Sequence, residues 1–205
     1  MSDPTADPDQ HSAATPADGP LSGFRVLDLS SVVSGPMAAV VLADQGADVI
    51  KIEPPGWGDG IRGLGASRNG LSAIYAMINR NKRSIAINLK HPEGQALVRQ
   101  LAADADVLLQ NYRPGKMARL GLDYDALKAE CPDLIYASIN GMGEVGPYAE
   151  QKTYDYVIQA LSGILDVQGM TPLAMNPAEH DASPVEQKQA LQMVRSIIYD
   201  KVTAL

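Results

Sequence analysis

Apolar and polar positions along this chain follow the pattern of strands alternating with helices. An apolar run over residues 24–29 ends in a turn of serine and glycine, a helical segment covers residues 36–45, and a second apolar run covers residues 47–52. Strand, crossover helix and strand are the start of a parallel sheet. The succession continues, with helices predicted over residues 71–78, 90–103 and 124–131 and strands over residues 84–89, 106–110 and 134–140. The pattern predicts an α/β fold with a doubly wound, mainly parallel sheet.

The loop after the first predicted strand has the composition of an anion site. Ser30, Ser31 and Ser34 precede Gly35 and Pro36, which begin the helix. Glycine allows close backbone approach, and the free N–H groups at a helix start attract anions. The loop has one glycine where the dinucleotide fingerprint G-x-G-x-x-G has three. From this pattern alone, the loop is either an anion site or simply a tight turn.

Three stretches further on allow two interpretations each. Glu53 ends the second strand, where it would bind a ribose or serve only as a strand-end carboxylate. Trp57, in a glycine-rich loop, would stack on a ligand or cover the core. The basic cluster at residues 79–83 is a solvated turn or an anion-binding edge.

Polar side chains of nucleotide-binding type follow the strand at residues 106–110. Asn111, Tyr112 and Arg113 come directly after it, and Arg119 lies one short turn later. An amide forms hydrogen bonds, an aromatic ring stacks and a guanidinium pairs with phosphate. Further along, Asp123 is predicted to cap the helix at residues 124–131.

Composition narrows the class of protein. The chain has 205 residues and a net charge of -7, and four of its 24 acidic residues lie in the first twenty, which contain no lysine or arginine. We expect residues 1–20 to be a disordered acidic tail and residues 21–205 to form one domain. The nearly balanced remainder predicts no nucleic-acid partner, and the lack of a long apolar run predicts no membrane span. Cys131 is the single cysteine, which excludes an internal disulfide and fits a cytoplasmic protein.

The last part of the chain is less regular. A helix is predicted over residues 156–165, an excursion rich in proline over residues 170–190 and a strand over residues 193–198. Asp200 follows in the position of a helix N-cap.

Several of these stretches together resemble the family III CoA-transferases, also called the CaiB/BaiF family. The resembling segments occur in family order and cover nearly all of residues 21–165, and a sixth resembles the segment that carries the family's nucleophilic aspartate. They are LSGFRVLDLSSVVSGPMAA, LADQGADVIKIEPPGWGD, NRNKRSIAINLKHPEG, ADVLLQNYRPGKMARLGL, PDLIYASINGMGEVGPY and, for the sixth, MVRSIIYDKVTAL.

The resemblance implies a Rossmann-like large domain and a covalent mechanism. The substrates are an acyl-CoA and a carboxylic acid, with CoA as substrate, no permanently bound cofactor and no metal. The aspartate that matches Asp200 attacks the acyl-CoA thioester and forms a mixed anhydride. The released CoA thiolate converts the anhydride to an aspartyl-CoA thioester, from which the acceptor carboxylate takes the CoA.

The resemblance also implies the residues that bind CoA. Arg119 and Lys152 match phosphate or ribose contacts, and Tyr112 matches the adenine side. Asp155 takes the place of an acidic residue near the thioester in formyl-CoA transferase. The full set of implied CoA-binding residues is Val33, Ser34, Ile87, Asn88, Leu89, Lys90, Asn111, Tyr112, Arg113, Arg119, Lys152, Thr153, Tyr154 and Asp155.

Departures from the family pattern leave alternatives open. Val33 stands where the transferases often have Gln, which argues against oxalate- or formate-like specificity. Tyr154 stands where 2-methylacyl-CoA racemase has an acid/base His, which argues against a racemase, the first alternative. Family members are about twice as long and form interlocked homodimers, so this chain resembles a truncated large domain whose own oligomeric state is open. The second alternative is a non-catalytic CoA-binding remnant, and we expect residues 1–205 alone to turn over little or no substrate.

The resemblance yields one spatial expectation as well. Asp200 should lie near the turn at Val33 and Ser34, with Asn111 and Arg119 lining the approach to it.

Overall fold

The computed structural model describes residues 19–164. The excursion at residues 170–190, the strand at residues 193–198 and Asp200 lie outside the described residues, as does most of the predicted acidic tail. The division into a tail and one domain therefore stays a prediction.

Seven strands and six α-helices follow one another in the described part of the chain. The strands are β1 (Arg25–Asp28), β2 (Asp48–Glu53), β3 (Ser67–Arg68), β4 (Leu71–Ser72), β5 (Lys82–Ala86), β6 (Val107–Gln110) and β7 (Ile135–Ser138). The helices are α1 (Ser34–Asp44), α2 (Ala73–Asn79), α3 (Pro92–Ala103), α4 (Lys116–Arg119), α5 (Tyr124–Glu130) and α6 (Asp155–Leu161), with a 3-10 turn at Gly60–Gly63. Within residues 19–164 no helix combines the length and hydropathy that crossing a membrane requires.

Five strands form one parallel sheet in the order β5-β2-β1-β6-β7. The chain moves outward from β1 to β2 and β5, then returns to the other side of β1 for β6 and β7. The direction of winding therefore reverses between β1 and β6, where loops leaving their carboxyl ends diverge and open a crevice. The predicted doubly wound parallel sheet is confirmed. The two short strands β3 and β4 form a separate antiparallel pair.

The two faces of the sheet bury different apolar clusters. Because side chains alternate along a strand, Val26 and Val49 pack toward α1, whereas Leu27 and Ile52 pack on the opposite face. Ala39 and Ala43 of α1, with Val107, complete the first cluster. The second includes Leu108, Val98 and Ala102 from α3, and Leu127 from α5. A sheet covered on both faces explains the continuous apolar character of its strands.

On the α1 face the apolar rows give way to charge toward the carboxyl ends of the strands. Asp28 and Lys51 are register partners on β1 and β2 and are 0% and 1% exposed. Lys82 of β5 donates to Asp28 at 2.9 Å, to the Pro36 carbonyl at 2.7 Å and to Asn79 at 3.0 Å. Burial lowers the pKa of the Lys82 ammonium to about 8, against the opposing attraction of Asp28. Buried charges are tolerated only when paired in this way.

This arrangement corrects two sequence-based interpretations of the basic cluster at residues 79–83. It is a solvated turn only in part: Arg80 and Arg83 are exposed, but the side chain of Lys82 is 1% exposed and Asn79 is buried. It is not an open anion-binding edge, because its cations pair with carboxylates of the chain. Arg80 pairs with Asp44, and Arg83 pairs with Asp48 at 2.6 Å.

The structure also excludes one alternative for Trp57 and corrects part of the prediction for Asp123. Trp57 does not cover the core, because 92% of the residue is exposed. Asp123 lies at the N-cap position of α5, but its side chain makes no capping hydrogen bond.

The buried ion pair of Lys82 should contribute more to the free energy of unfolding than the exposed ion pair of the next residue, Arg83. Lys82→Met leaves the buried carboxylate of Asp28 with only the more distant ammonium of Lys51, at 3.9 Å, and leaves the buried group with one negative charge in excess. We therefore expect a loss of about 3–5 kcal/mol in the free energy of unfolding. Arg83→Met breaks an exposed pair and should cost less than about 1 kcal/mol. Urea titration of both variants measures the difference, and equal losses would contradict the structural role assigned to Lys82.

Candidate functional site

A cavity of about 600 Å³ opens at the carboxyl ends of β1 and β6, where the winding of the sheet reverses. We call it the switch-point cavity. Its walls are the loop before α1, the turn after β6, the residues after β7 and the start of α6. The residues that line it are Ser31, Val32, Val33, Ser34, Asn111, Tyr112, Arg113, Lys116, Arg119, Ile139, Asn140, Gly141, Thr153, Tyr154 and Ile158.

The loop before α1 forms one wall in a strained conformation. Val32 has a φ of 67° and is 46% exposed. Positive φ is uncommon for any residue with a side chain and is an outlier for a β-branched one. Such a conformation persists only where its surroundings hold it in place.

Asn111 fastens this loop from the side of β6. Its Oδ1 accepts a hydrogen bond from the Ser31 N–H at 2.9 Å, and its Nδ2 donates to the Ser31 carbonyl at 2.8 Å and to Ser34 Oγ at 3.1 Å. Both ends of the amide therefore bind the loop, and the first role that the geometry supports for Asn111 is to join the two halves of the sheet across the crevice.

The start of α1 presents backbone donors at the same wall. Val33 precedes the helix and receives no side-chain cap within the described part of the chain, and the first helical hydrogen bond runs from the Met37 N–H to the Val33 carbonyl at 2.8 Å. The opening amides of a helix lack intrahelical partners and favour an anion. Gly35 is required here because a Cβ at this position would overlap the side chain of Ser30.

Another part of the cavity wall carries positive charge that no carboxylate of the described residues neutralises. Arg113, Lys116 and Arg119 line the cavity. Within residues 19–164, neither these three side chains nor Lys90 belongs to an ion pair. Burial lowers the pKa of the Lys116 ammonium, and the charges of Lys90, Arg119 and Arg113 lower it further. Mutual repulsion of this kind is relieved when a polyanion binds.

Tyr112 lies between the cations and the sheet. Lys116 Nζ sits 3.8 Å from the centre of the tyrosine ring, a cation–π contact that orders both side chains. The Tyr112 N–H donates to Gln110 Oε1 at 2.7 Å, which fixes the turn after β6. Burial raises the pKa of the Tyr112 hydroxyl, and the nearby carboxylates of Asp59 and Asp28 raise it further. Tyr112 is therefore a neutral, partly buried ring beside the cations.

Several of the sequence-predicted residues meet at this cavity. Eight of the fourteen implied CoA-binding residues line it, namely Val33, Ser34, Asn111, Tyr112, Arg113, Arg119, Thr153 and Tyr154. Their roles toward a ligand stay predictions. Asp200 and its expected position near Val33 and Ser34 lie outside the described residues.

The other six do not line the cavity. Ile87 is 4% exposed and belongs to the core cluster on the α3 face. Lys90 is near enough to influence the charge of Lys116. Asp155 opens α6 and accepts a hydrogen bond from Gln159. The remaining three are Asn88, Leu89 and Lys152.

The sequence reading missed part of the wall, above all Asn140. This residue follows β7, and its Oδ1 is buried without a hydrogen-bond partner among the described residues. A buried acceptor without a donor is costly, so a ligand N–H at this place would be favoured. The sequence feature that could have indicated Asn140 as a wall residue is its position directly after a strand of the parallel sheet. Ser31, which also lines the cavity, belongs to the loop that the sequence marked as a possible anion site. The other wall residues not predicted are Val32, Lys116, Ile139, Gly141 and Ile158.

Glu53 proves to be a structural carboxylate. It is 3% exposed and accepts hydrogen bonds from Arg62 Nε at 2.7 Å, Tyr75 Oη at 2.8 Å and Ser84 Oγ at 2.6 Å. Its oxygens are occupied by the protein, so the ribose-binding alternative is wrong. Burial acts to raise the pKa of the Glu53 carboxyl, but hydrogen bonds from Arg62, Ser84, the Asp59 N–H and Tyr75 hold it far below its usual range. Within residues 19–164 no cluster of three or more metal-ligating side chains occurs.

The sequence matches one family of proteins over most of its length. The model of the family described as CoA-transferase family III matches residues 21–197. The chain is 43% identical over 187 residues to a succinate–glutarate CoA-transferase of Agrobacterium fabrum, covering 88% of this chain and 44% of the relative. It is 44% identical over 151 residues to the human succinyl-CoA:glutarate CoA-transferase, covering 73% of this chain and 34% of the relative. It is 45% identical over 157 residues to an acetyl-CoA:oxalate CoA-transferase of Acetobacter aceti, covering 76% and 40%.

Solved structures agree with this match. The chain superimposes on Rv3272 of Mycobacterium tuberculosis with a TM-score of 0.76 at 34% identity, covering 91% of this chain and 48% of the other. A CaiB/BaiF family protein of Brucella suis gives a TM-score of 0.73 at 37% identity, covering 91% and 48%. The chain thus spans about half the length, or less, of the proteins that it matches.

The Glu53 cluster predicts a loss of stability in acid. The folded-state pKa of Glu53 lies below its ordinary value of 4.5, so its contribution is complete above that pH and is lost as the pH falls toward the folded-state pKa. Glu53→Gln should lower the free energy of unfolding by about 1–3 kcal/mol at pH 7, because the charged hydrogen bonds are weakened. Below pH 4.5 the two proteins should converge. Urea titrations between pH 7 and pH 3 measure this, and a constant difference across the range would contradict the assignment.

Proposed function

The chain belongs to CoA-transferase family III, and we propose that it moves CoA from an acyl-CoA to a carboxylic acid at the switch-point cavity. The observation that carries the proposal is the positive wall formed by Arg113, Lys116 and Arg119 in the same cavity as the start of α1. CoA is a polyanion with an adenine ring and a long amide-containing arm. Guanidinium and ammonium groups suit its phosphates, the ring of Tyr112 suits its adenine, and the buried acceptor of Asn140 suits an N–H of either part.

We further propose that the acids are dicarboxylates. The relatives described above are named for succinate and glutarate or for oxalate, and others at 42% and 39% identity are named for D-citramalate and L-malate. Val33 in place of the frequent family Gln favours longer acids than oxalate. Succinyl-CoA as donor and a dicarboxylate of four or five carbons as acceptor is therefore the pair to test first.

Asp200 is the proposed nucleophile. One carboxylate oxygen attacks the thioester carbonyl carbon, the C–S bond breaks, and the thiolate of CoA leaves a mixed anhydride behind. The thiolate then attacks the aspartyl carbonyl, which releases the first acid and forms an aspartyl-CoA thioester. The acceptor carboxylate attacks that thioester, and the thiolate returns to the acceptor's acyl carbon, which restores the aspartate. A carboxylate is a weak nucleophile, so the mechanism depends on holding the thioester against it with water excluded.

Nothing at the cavity favours the racemase alternative. A racemase needs acid/base groups on both sides of the α-carbon. The described part of the cavity wall contains Tyr154 at the place of the racemase histidine and no histidine elsewhere. The remaining alternative, a chain that binds CoA without turning it over, is decided by the experiments below.

Trapping of the intermediate tests the chemistry. The chain is incubated with succinyl-CoA, treated with hydroxylamine and analysed by peptide mass spectrometry, with Asp104→Ala as a matched control that removes a surface carboxylate at the end of α3. A hydroxamate at Asp200 that is lost in Asp200→Ala would support the proposal. CoA binding without an adduct would establish a non-catalytic CoA-binding chain, the outcome in line with the expectation that residues 1–205 turn over little substrate.

Charge removal at the cavity tests the binding mode. Lys116→Gln and Arg119→Gln each remove a phosphate partner, so the Kd for CoA should rise roughly tenfold, the equivalent of one charged hydrogen bond. The Kd for pantetheine, which lacks phosphate, should change less than about twofold. Lys128→Gln removes the same charge from α5, away from the cavity wall, and should change neither. Calorimetric titration measures all three, and equal losses for CoA and pantetheine would contradict phosphate binding at this wall.

A further inference from the structure

We propose that Asp59 is a positioning residue for the switch-point cavity: it holds Val32 in the left-handed conformation and so sets the loop that begins α1. Asp59 does not line the cavity and lies 27 residues further along the chain than Val32. Its role in ligand binding rests on the function proposed above, whereas its action on the loop does not.

The contact between the two residues is direct. The Val32 N–H donates to both oxygens of the Asp59 carboxylate, at 3.1 Å and 3.2 Å. The same carboxylate accepts from the Ile61 N–H at 3.1 Å and pairs with Lys51 at 3.0 Å, and the residue is 2% exposed. Two backbone amides and one ammonium therefore share a single buried carboxylate. An asparagine of the same shape could not serve all three donors, because one of its two polar atoms is itself a donor.

Val32 is the one residue of this loop that needs such a restraint. Its φ of 67° is unfavourable for a side chain branched at Cβ, and the strain is released by rotation to negative φ. The preceding residues have contacts of their own, since Asn111 binds Ser31 and the Lys51 ammonium donates to the Ser30 carbonyl at 2.9 Å. The hydrogen bond to Asp59 is the contact made by Val32 itself.

The conformation of Val32 determines how the residues that follow it are placed at the cavity. The peptide between Val32 and Val33 leads directly into the first turn of α1, and Val33 and Ser34 line the cavity. If Val32 rotated to negative φ, this peptide would turn, and the Val33 N–H would change direction relative to the rest of the wall. Asp59 thus acts on ligand binding through Val32, by keeping the wall in the shape that an anion meets.

Asp59 could instead matter only because it neutralises Lys51. A second substitution, at Val32, distinguishes this role from the proposed one. Glycine adopts positive φ without strain. In a Val32→Gly background the loop no longer needs Asp59 to hold its conformation, so loss of Asp59 should matter less there. If Asp59 served only to neutralise Lys51, Asp59→Asn would have the same effect in both backgrounds.

The experiment compares four proteins in two measurements: the unsubstituted chain, Asp59→Asn, Val32→Gly and the double variant. Hydrogen exchange at the Val32 amide, followed by NMR without ligand, reports on the hydrogen bond by which Asp59 holds this residue. Calorimetric titration with CoA reports on the cavity. Asp48→Asn is the matched control, because it removes a carboxylate held by two guanidinium groups at the amino end of β2, far from the loop.

We expect Asp59→Asn to speed exchange at Val32 and to raise the Kd for CoA, each by roughly tenfold, which corresponds to the strain of one left-handed residue. In the Val32→Gly background the same substitution should raise the Kd less than about threefold, and Asp48→Asn should change neither quantity. Equal losses of affinity in both backgrounds, or unchanged exchange at Val32, would overturn the proposal. If the unsubstituted chain binds no CoA, the proposed function fails, while the exchange measurement still decides whether Asp59 holds the amide of Val32.

Discussion

Charge buried between the sheet and α1 is the constraint on which the rest of this structure depends. Asp28, Lys51, Lys82 and Asp59 lie there almost without solvent, and each is held by at least one opposite charge. A group of this kind cannot lose a member without leaving an unpaired charge in the core. It therefore ties β1, β2 and β5 to the loops above them more specifically than apolar packing would.

The same charges shape the proposed binding wall. Apolar packing has no direction, but a carboxylate that accepts backbone amides fixes where those amides lie. Asp59 holds Val32 from one side of the crevice, and Asn111 holds Ser31 from the other. The loop between them remains strained and exposed, which is typical of segments that meet a ligand. In this protein the shape of the site is held by the hydrogen bonds that Asp59 and Asn111 make to the loop.

The charge of the cavity differs from that of the whole chain. The net charge is -7, yet Arg113, Lys116 and Arg119 meet at one wall without acidic partners in the described part of the chain. By contrast, the basic cluster at residues 79–83 is richer in charge along the sequence but is neutralised by Asp28, Asp44 and Asp48. Local electrostatics thus depends on which carboxylates fold against which cations, and neither bulk charge nor a run of basic residues reports it.

The amino-acid sequence alone determined the five strands of the parallel sheet, the longer helices between them and the family, because these depend on the spacing of apolar residues and on motifs in order. The short elements β3, β4 and α4 were not predicted. The family resemblance also placed Val33, Ser34, Asn111 and Arg119 at one site, and these residues line one cavity in the structure. Only the tertiary structure decided that Lys51 and Lys82 are buried and Trp57 exposed, and that Asn140 joins the wall while Ile87 enters the core. These outcomes depend on what packs against each side chain across the fold, and periodicity within one segment carries no record of that partner.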